Sequence, residues 1–411
     1  MTRTKEFLRL SAAATAAVLF LTTTGIAADG EPAPGPDPEA PADTEYVEYV
    51  DVDVEGQPES NTISRKIGLD VDRTPVHVSR VGRALIDEQD GRVLGDALLN
   101  VAGVNVVPFS GTFDAFTIRG YDSVESGVIL TDGVVEPESS FHRSYNVQGV
   151  EVLKGPGGFL YGSSPLAGVV NVVRKRPLPT DFGAFRVRGG SWGEVEGALD
   201  WNESNADGDL AFRFNGTVGE GDGWRDRTEQ THVGINPTLA WSPRESLRLN
   251  FAAEYALLEN GPDNGIPLLD DRLPDVDRRT SYQSPFDRSE QGVTRFQVDL
   301  EYDLGERVTI RNKAYYRRLE WLSDGTIFTG VFPDPGTFEP TVGRLLLALD
   351  DDQRFWGNQL EAVAEVATGP VRHRILGGLE LARRDDTYTL QSSCPAGAPG
   401  CDFLVTLPNI S

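Results

Sequence analysis

Cys394 and Cys401 bracket six residues in CPAGAPGC, and the 411-residue chain has four histidines in all. A redox or zinc centre on that pair needs further ligands, and the sequence offers none nearby. The glycine-rich GPGGFLYGSS, Gly155 to Ser164, lacks the Lys-Ser/Thr ending of a phosphate-binding loop. No Ser/His/Asp constellation or paired-carboxylate pocket stands out, so neither an enzyme nor a cofactor or metal site is expected. The remaining chemistry lies in aromatic and cationic side chains. VVPFSGTFDAF holds Phe109, Phe113 and Phe116, and VVEPESSFHRSYN holds Phe141, His142, Arg143 and Tyr145.

Something must position those residues. With 39% apolar and 25% charged residues the chain can bury a core. Its 63 acidic against 38 basic residues, a formal charge of −25, leave no cationic surface for a phosphate backbone, which argues against nucleic acid as a partner. The N-terminus has Arg3, Lys5 and Arg9, an apolar run from Leu10 to Leu21, and small Gly25, Ala27 and Ala28. That run is shorter than the roughly 20 residues of a membrane helix, so residues 1–28 read as a cleaved signal peptide. Export makes an oxidising compartment available to the two cysteines.

Residues 29–57 form a leader. Its first part, DGEPAPGPDPEAPAD, is too polar and proline-rich to order itself. In the following EYVEYVDVDVEG, Tyr46, Val47, Tyr49, Val50, Val52 and Val54 alternate loosely with acids. This stretch either adds as a strand to a partner's sheet or is an edge strand of the next domain. Residues 58–178 mix helix signals, with Ala97, Leu98 and Val101 on one face, and strand signals in FTIRGY, SGVILTDGVV, GVEVLKG and GVVNVVRKRP. They read as a compact α/β domain rich in glycine turns.

From residue 179 to 411 a two-residue period takes over. In RFQVDLEYDL, Phe296, Val298, Leu300, Tyr302 and Leu304 oppose Arg295, Gln297, Asp299, Glu301 and Asp303. Such segments suit outer-membrane strands, although a soluble sandwich also alternates. Strands are expected near 183–190, 194–203, 208–219, 230–242, 246–258, 290–304, 307–321, 353–367 and 371–388. Short turns near Asn205, Arg244, Gly305 and Gly369 alternate with longer joints, including one of about 30 residues from Ser323 to Asp352. Short turns on one rim and long loops on the other favour a membrane barrel. Cys394 and Cys401 then fall on the long-loop rim, where a disulfide closing a small loop is expected.

The ordered stretches RTPVHVSRVGRALIDEQ, LGDALLNVAGVNV, FDAFTIRGY, VILTDGV, VQGVEVLKGPGGFLYGSSPLAGVVNVVRKRP and FRVRGGSWGE resemble the plug domain and barrel entry of TonB-dependent outer-membrane receptors, closest to the siderophore-receptor subfamily. The match covers about 105 residues, from Asp72 to Pro177. This resemblance implies a 22-stranded membrane β-barrel, about nine strands of which are present here, with the mixed α/β plug inside it. It also implies energy-coupled import of a scarce ligand, most simply a ferric siderophore, through a TonB-type periplasmic protein that grips a Ton box at Glu45 to Val54. Cobalamin, heme or glycans as cargo, and surface binding or signalling without transport, stay open as alternatives.

By the same resemblance Arg119 and Lys154 are plug cations that lock to wall carboxylates, with Glu151 pairing locally. Phe109, Phe113, Phe116, Phe141, Arg143 and Tyr145, with Trp224 from a loop, are the expected ligand contacts, because rings and guanidinium suit an anionic, aromatic chelate. The protein is expected to act as a monomer in the outer membrane. Nine strands would leave open edges in lipid, so the chain reads as the N-terminal portion of a receptor.

Overall fold

The computed structural model describes residues 77–109, 113–123, 127–137, 140–155, 168–269, 271–333, 336, 340–369 and 371–393. The signal peptide, the leader with the candidate Ton box, and Cys394 and Cys401 lie outside the described residues.

The first part is the α/β domain. Its elements are β1 (His77–Gly82), α1 (Arg83–Glu88), α2 (Leu94–Leu98), β2 (Val104–Phe109), β3 (Phe113–Ile118), β4 (Tyr121–Asp122), β5 (Gly127–Thr131), β6 (Val134–Val135), β7 (Val147–Lys154) and β8 (Gly168–Arg174). One sheet has the order β1-β7-β8-β5-β6, and β2-β3-β4 form a second. Asp96 starts α2 by accepting hydrogen bonds from the backbone N–H groups of Arg92 (2.8 Å) and Val93 (3.1 Å). The apolar face of α2 and its flank, Ala97, Leu98 and Val101, packs with Val81, Ile86, Phe116, Ile118, Val150, Val152, Val170 and Val172 in one core. β7 and β8 are buried along nearly their whole length, which explains their unbroken apolar runs in place of alternation.

The second part is an antiparallel meander of nine strands among the described residues. They are β9 (Phe182–Gly189), β10 (Val195–Ser204), β11 (Leu210–Gly221), β12 (Gln230–Arg244), β13 (Leu247–Asn260), β14 (Arg288–Leu304), β15 (Val308–Pro333), β16 (Pro340–Thr368) and β17 (Val371–Ser393). Its polarity is inverted relative to a soluble protein. Leu249, Leu300 and Phe251, Val298 are register partners on one face, and that face exposes Phe185, Trp201, Ile235, Trp241, Phe251, Phe296 and Trp356. On the opposite face Asn202, Asn215, Asn236, Gln291, Arg295, Gln297 and Arg317 are buried. Apolar out and polar in is what lipid outside and a polar filling inside select.

One expected joint is different. The long loop from Ser323 to Asp352 is mostly ladder, because β15 and β16 run on in register from Ser323↔Leu349 to Pro333↔Pro340. Thr326, Ile327, Phe328 and Val331 face Leu345–Leu347 and their neighbours, and these residue types favour strands. Gly330, at φ +144°, sits at the one register shift there and, with Gly325 and Pro333, gave the stretch its loop-like composition. The remaining long joint lies between Asn260 and Arg288.

Gly168 holds the entry to β8. It adopts φ +145°, and a Cβ there would stand 2.2 Å from the Leu153 carbonyl oxygen across the β7–β8 pair. We expect Gly168→Ala to destabilise the α/β domain by about 1–3 kcal/mol, the usual cost of such strain, seen as a lower thermal midpoint. An unchanged midpoint would contradict this account of the strand pair.

Candidate functional site

The seam between the α/β domain and the wall is where charge is buried. Glu136, just after β6, is 4% exposed. Its Oε2 accepts from Arg295 Nε of β14 at 2.8 Å and lies 2.7 Å from Arg295 Nη2, while its Oε1 lies 3.1 Å from Arg317 Nε of β15. Arg295 also meets Glu254 of β13 at 3.1 Å. From the domain side, Arg174 at the end of β8 donates to Asp132 (2.7 Å) and reaches Glu254 (3.4 Å) and Gln297 (3.4 Å). Gln297 accepts from Arg317 at 2.8 Å, and Lys313 donates to the Asp132 carbonyl. Three guanidiniums and three carboxylates thus interlock out of water.

The sequence positions them by simple geometry. Arg295 and Gln297 share the inward face of β14 through its two-residue period, and the register Arg295↔Arg317 sets the two wall guanidiniums side by side. Two like charges at neighbouring positions repel unless an anion bridges them. The tight turn at Asp132 and Gly133, with φ +51° and +79°, delivers Glu136 as that bridge. Burial pushes the Glu136 carboxyl up, but Arg295 and Arg317 beside it prevail and hold it well below the usual glutamate range. His142 completes the seam. Its Nδ1 lies 2.9 Å from Asp114 and its Nε2 3.2 Å from Arg295 Nη2. Nε2 also lies 3.8 Å from Glu136 Oε2; burial pulls the imidazole down, but Asp114 and Glu136 prevail and hold it above the ordinary histidine value.

A second contact joins the domain to β9, β10 and β11 with mixed polarity. The wall supplies carboxylates, Glu196 for Arg143 (2.7 Å) and Asp200 for Lys175 (2.8 Å), and a guanidinium from Arg186. Glu196 also takes Arg188 (2.6 Å), and Arg186 reaches back to Asp87 (2.8 Å). These groups line a cavity of about 360 Å³. Burial pulls the Lys175 ammonium down to about 8, with Arg83 and Arg213 adding repulsion against the pull of Asp200.

The residues singled out from sequence are distributed unevenly. Phe141, Arg143 and Tyr145 come together with His142, Arg174, Glu254 and Arg295 around a cavity of about 30 Å³, room for one water. The Tyr145 hydroxyl donates to Glu254 at 3.5 Å, and its ring lies against Gly234 of β12, where any Cβ would clash at 2.7 Å. Phe113 packs edge-on against Trp321 of the wall, with centroids 5.8 Å apart. Phe116 is 1% exposed in the domain core and presents no surface to a ligand in this arrangement. The backbone of Phe109 pairs with Phe113 at the end of β2. Trp224 stands apart in the joint after β11, 41% exposed, with the guanidiniums of Arg225 and Arg278 at 4.4 and 5.7 Å from its ring centre.

Arg119 is exposed at φ +51°. Glu151 accepts from Asn171 at 2.9 Å, and Lys154 donates to the Ala102 carbonyl at 2.5 Å, both within the α/β domain. The buried charged contacts to the wall run through Asp132, Glu136, Arg143, Arg174 and Lys175. Sequence reasoning passed these over, apart from Arg143, which it read as a ligand contact. Their only signal was charge at inward strand positions, whose partners lie from 25 residues (Lys175 and Asp200) to 159 residues (Glu136 and Arg295) away along the chain.

The depressed Glu136 value fixes a pH dependence. Its contribution to docking is complete above the ordinary glutamate value of 4.5 and is lost as pH falls below it toward the folded-state value. We expect Glu136→Gln to cost about 3–5 kcal/mol at neutral pH and to flatten the acid limb, measured by protease cleavage of the domain. An acid limb unchanged in Glu136→Gln would assign it to other carboxylates.

With this geometry established, the likeness to known proteins is specific. Residues 70–169 match the family described as the TonB-dependent receptor plug domain. The catecholate siderophore receptor Fiu of Escherichia coli K12 is 28% identical over 337 residues, covering 75% of this chain and 43% of that protein. The ferrioxamine receptor of Yersinia enterocolitica is 27% identical over 376 residues, covering 82% of this chain and 50% of that protein. The crystal structure of Fiu from Escherichia coli K12 in its closed form superposes with a TM-score of 0.74 at 25% identity, over 84% of this chain and 51% of Fiu. The chain thus spans about half the length of the curated relatives it matches. A domain that matches the TonB-dependent receptor plug, seated by buried ion pairs against nine apolar-out, polar-in strands, makes the chain similar in sequence and fold to the plug and part of the barrel of TonB-dependent siderophore receptors.

Proposed function

We propose that this protein is an outer-membrane receptor that binds a ferric siderophore outside the cell and imports it when a TonB-type periplasmic protein pulls on the plug. The observation that carries this reading is the docking of the plug. It fills the polar side of the wall through buried charges that face opposite charges across the seam, a seal that stays shut passively and yields to mechanical work. A passive porin has no use for such an occluding domain. The relatives named for catecholate and ferrioxamine ligands support a chelated-iron cargo.

In this reading residues 1–28 are removed on export and Tyr46, Val47, Tyr49, Val50, Val52 and Val54 form the Ton box that adds as a strand to the pulling partner. Phe109, Phe113, Phe141, Arg143, Tyr145 and Trp224 belong to the ligand path, and Trp224 with its two guanidiniums is the described platform open to solvent. Arg119 and Lys154 are further plug cations for wall carboxylates. Cys394 and Cys401 close a small loop on the outer rim. The protein is a receptor and transporter rather than an enzyme.

The test uses cells lacking their own ferric siderophore receptors and supplied with radioiron on a catecholate or a hydroxamate chelator. Deleting Glu45 to Val54 is expected to abolish accumulation while leaving surface binding intact. Equal accumulation with and without the segment would remove the Ton-box assignment, and binding without accumulation in the intact protein would favour a surface-binding or signalling role.

A further inference from the structure

Glu136 is the one carboxylate within ion-pair distance of Arg317 among the described residues. Arg295 keeps Glu254, a fellow wall residue, at 3.1 Å whatever the plug does. Arg317 has no such reserve: its other acceptors are Gln297 Oε1 and the plug's own Thr131 carbonyl. It is fully buried, and its Nε and Nη1 lack an aligned hydrogen-bond acceptor even with Glu136 in place. A buried guanidinium with open donors seeks an anion. Around it the wall presents Arg295, Arg317 and Lys313 against Glu254 and Asp299, so withdrawal of the plug's Asp132 and Glu136 leaves the wall surface net cationic.

We propose that Arg295 and Arg317 form an anion-binding rung on the inner wall, occupied by the Glu136 carboxylate while the plug is docked and handed to the oxyanions of a passing ligand when the plug moves. The docked plug is then a built-in competitor: the same two guanidiniums that close the path recognise the class of cargo, an anionic chelate with carboxylate or catecholate oxygens. A neutral cargo gains nothing from the rung. The transport half of this inference rests on the import reading above; the anion site itself does not.

Chemical rescue tests the site directly. Glu136→Ala deletes the atoms of one acetate ion from beneath the two guanidiniums. The purified protein in detergent is exposed to a protease in sodium acetate or in sodium chloride of equal ionic strength. Acetate is expected to slow plug cleavage of Glu136→Ala by about tenfold when present at about ten times its dissociation constant, and to leave wild type unchanged. The double variant Glu136→Ala with Arg317→Gln should gain nothing. Acetate acting no better than chloride, or protecting the double variant equally, would overturn the proposal. Glu136→Gln, which keeps the side-chain volume, serves if the alanine variant does not fold. It should be cleaved faster than wild type, and adding Arg317→Gln should restore resistance; a Glu136→Gln protein as resistant as wild type sinks the rung. None of these readouts involves uptake, so a protein that passes them yet does not import iron loses only the import reading.

Discussion

The structure turns on one carboxylate shared by two wall guanidiniums. Taking three arginines and three carboxylates out of water costs several kcal/mol per ion before any pairing, and only near-complete mutual compensation makes the arrangement tolerable. Glu136, Asp132 and Glu254 provide that compensation for Arg295, Arg174 and Arg317. The seam therefore has little middle ground. Half-docked, it would leave Arg317 in a low-dielectric space without its carboxylate, so partial seating is disfavoured.

That constraint explains why the wall is inside-out. Asn202, Asn215, Asn236, Gln291 and Gln297 are as buried as the residues of the plug core, yet they lie on barrel strands. Buried polar groups need partners: Asn202 holds the plug–barrel connector through the Leu178 and Thr180 carbonyls, Gln297 accepts from Arg174 and Arg317, and Asn236 donates to the Ala253 carbonyl within the wall. The apolar band on the other face, Trp241 and Leu249 beside Leu300, has no such partners and is stable only against lipid. Plug and bilayer thus solvate opposite faces of the same strands.

Much of this was legible in the sequence and some could not be. The two-residue period of RFQVDLEYDL and LRLNFAAEYAL marked the strands and their faces, because side-chain direction in a strand is local information. The helix face of Ala97, Leu98 and Val101 was legible for the same reason. The joint from Ser323 to Asp352 misled because Gly325, Gly330 and Pro333 signal loops locally, whereas the ladder to Leu345–Leu347 is decided by pairing across the strand. The lock was hidden at a deeper level. Glu136 and Arg295 are 159 residues apart, and nothing in VVEPE says which wall position it will meet. Phe116 shows the converse: an aromatic in a promising segment is claimed by the core once β3 is packed.

Both faces of the plug are held with mixed polarity. Toward β13 to β15 Glu136 meets wall guanidiniums while Arg174 meets the wall carboxylate Glu254; toward β9 and β10 Arg143 and Lys175 meet wall carboxylates while Asp87 meets Arg186 of the wall. An anion can replace the plug's carboxylates at wall guanidiniums, but the plug's cations stay tied to wall carboxylates. A cation does the reverse. No single ion frees both faces at once, and screening by salt is weak where the pairs are buried. The charge of one ion can therefore loosen only part of the seat at a time.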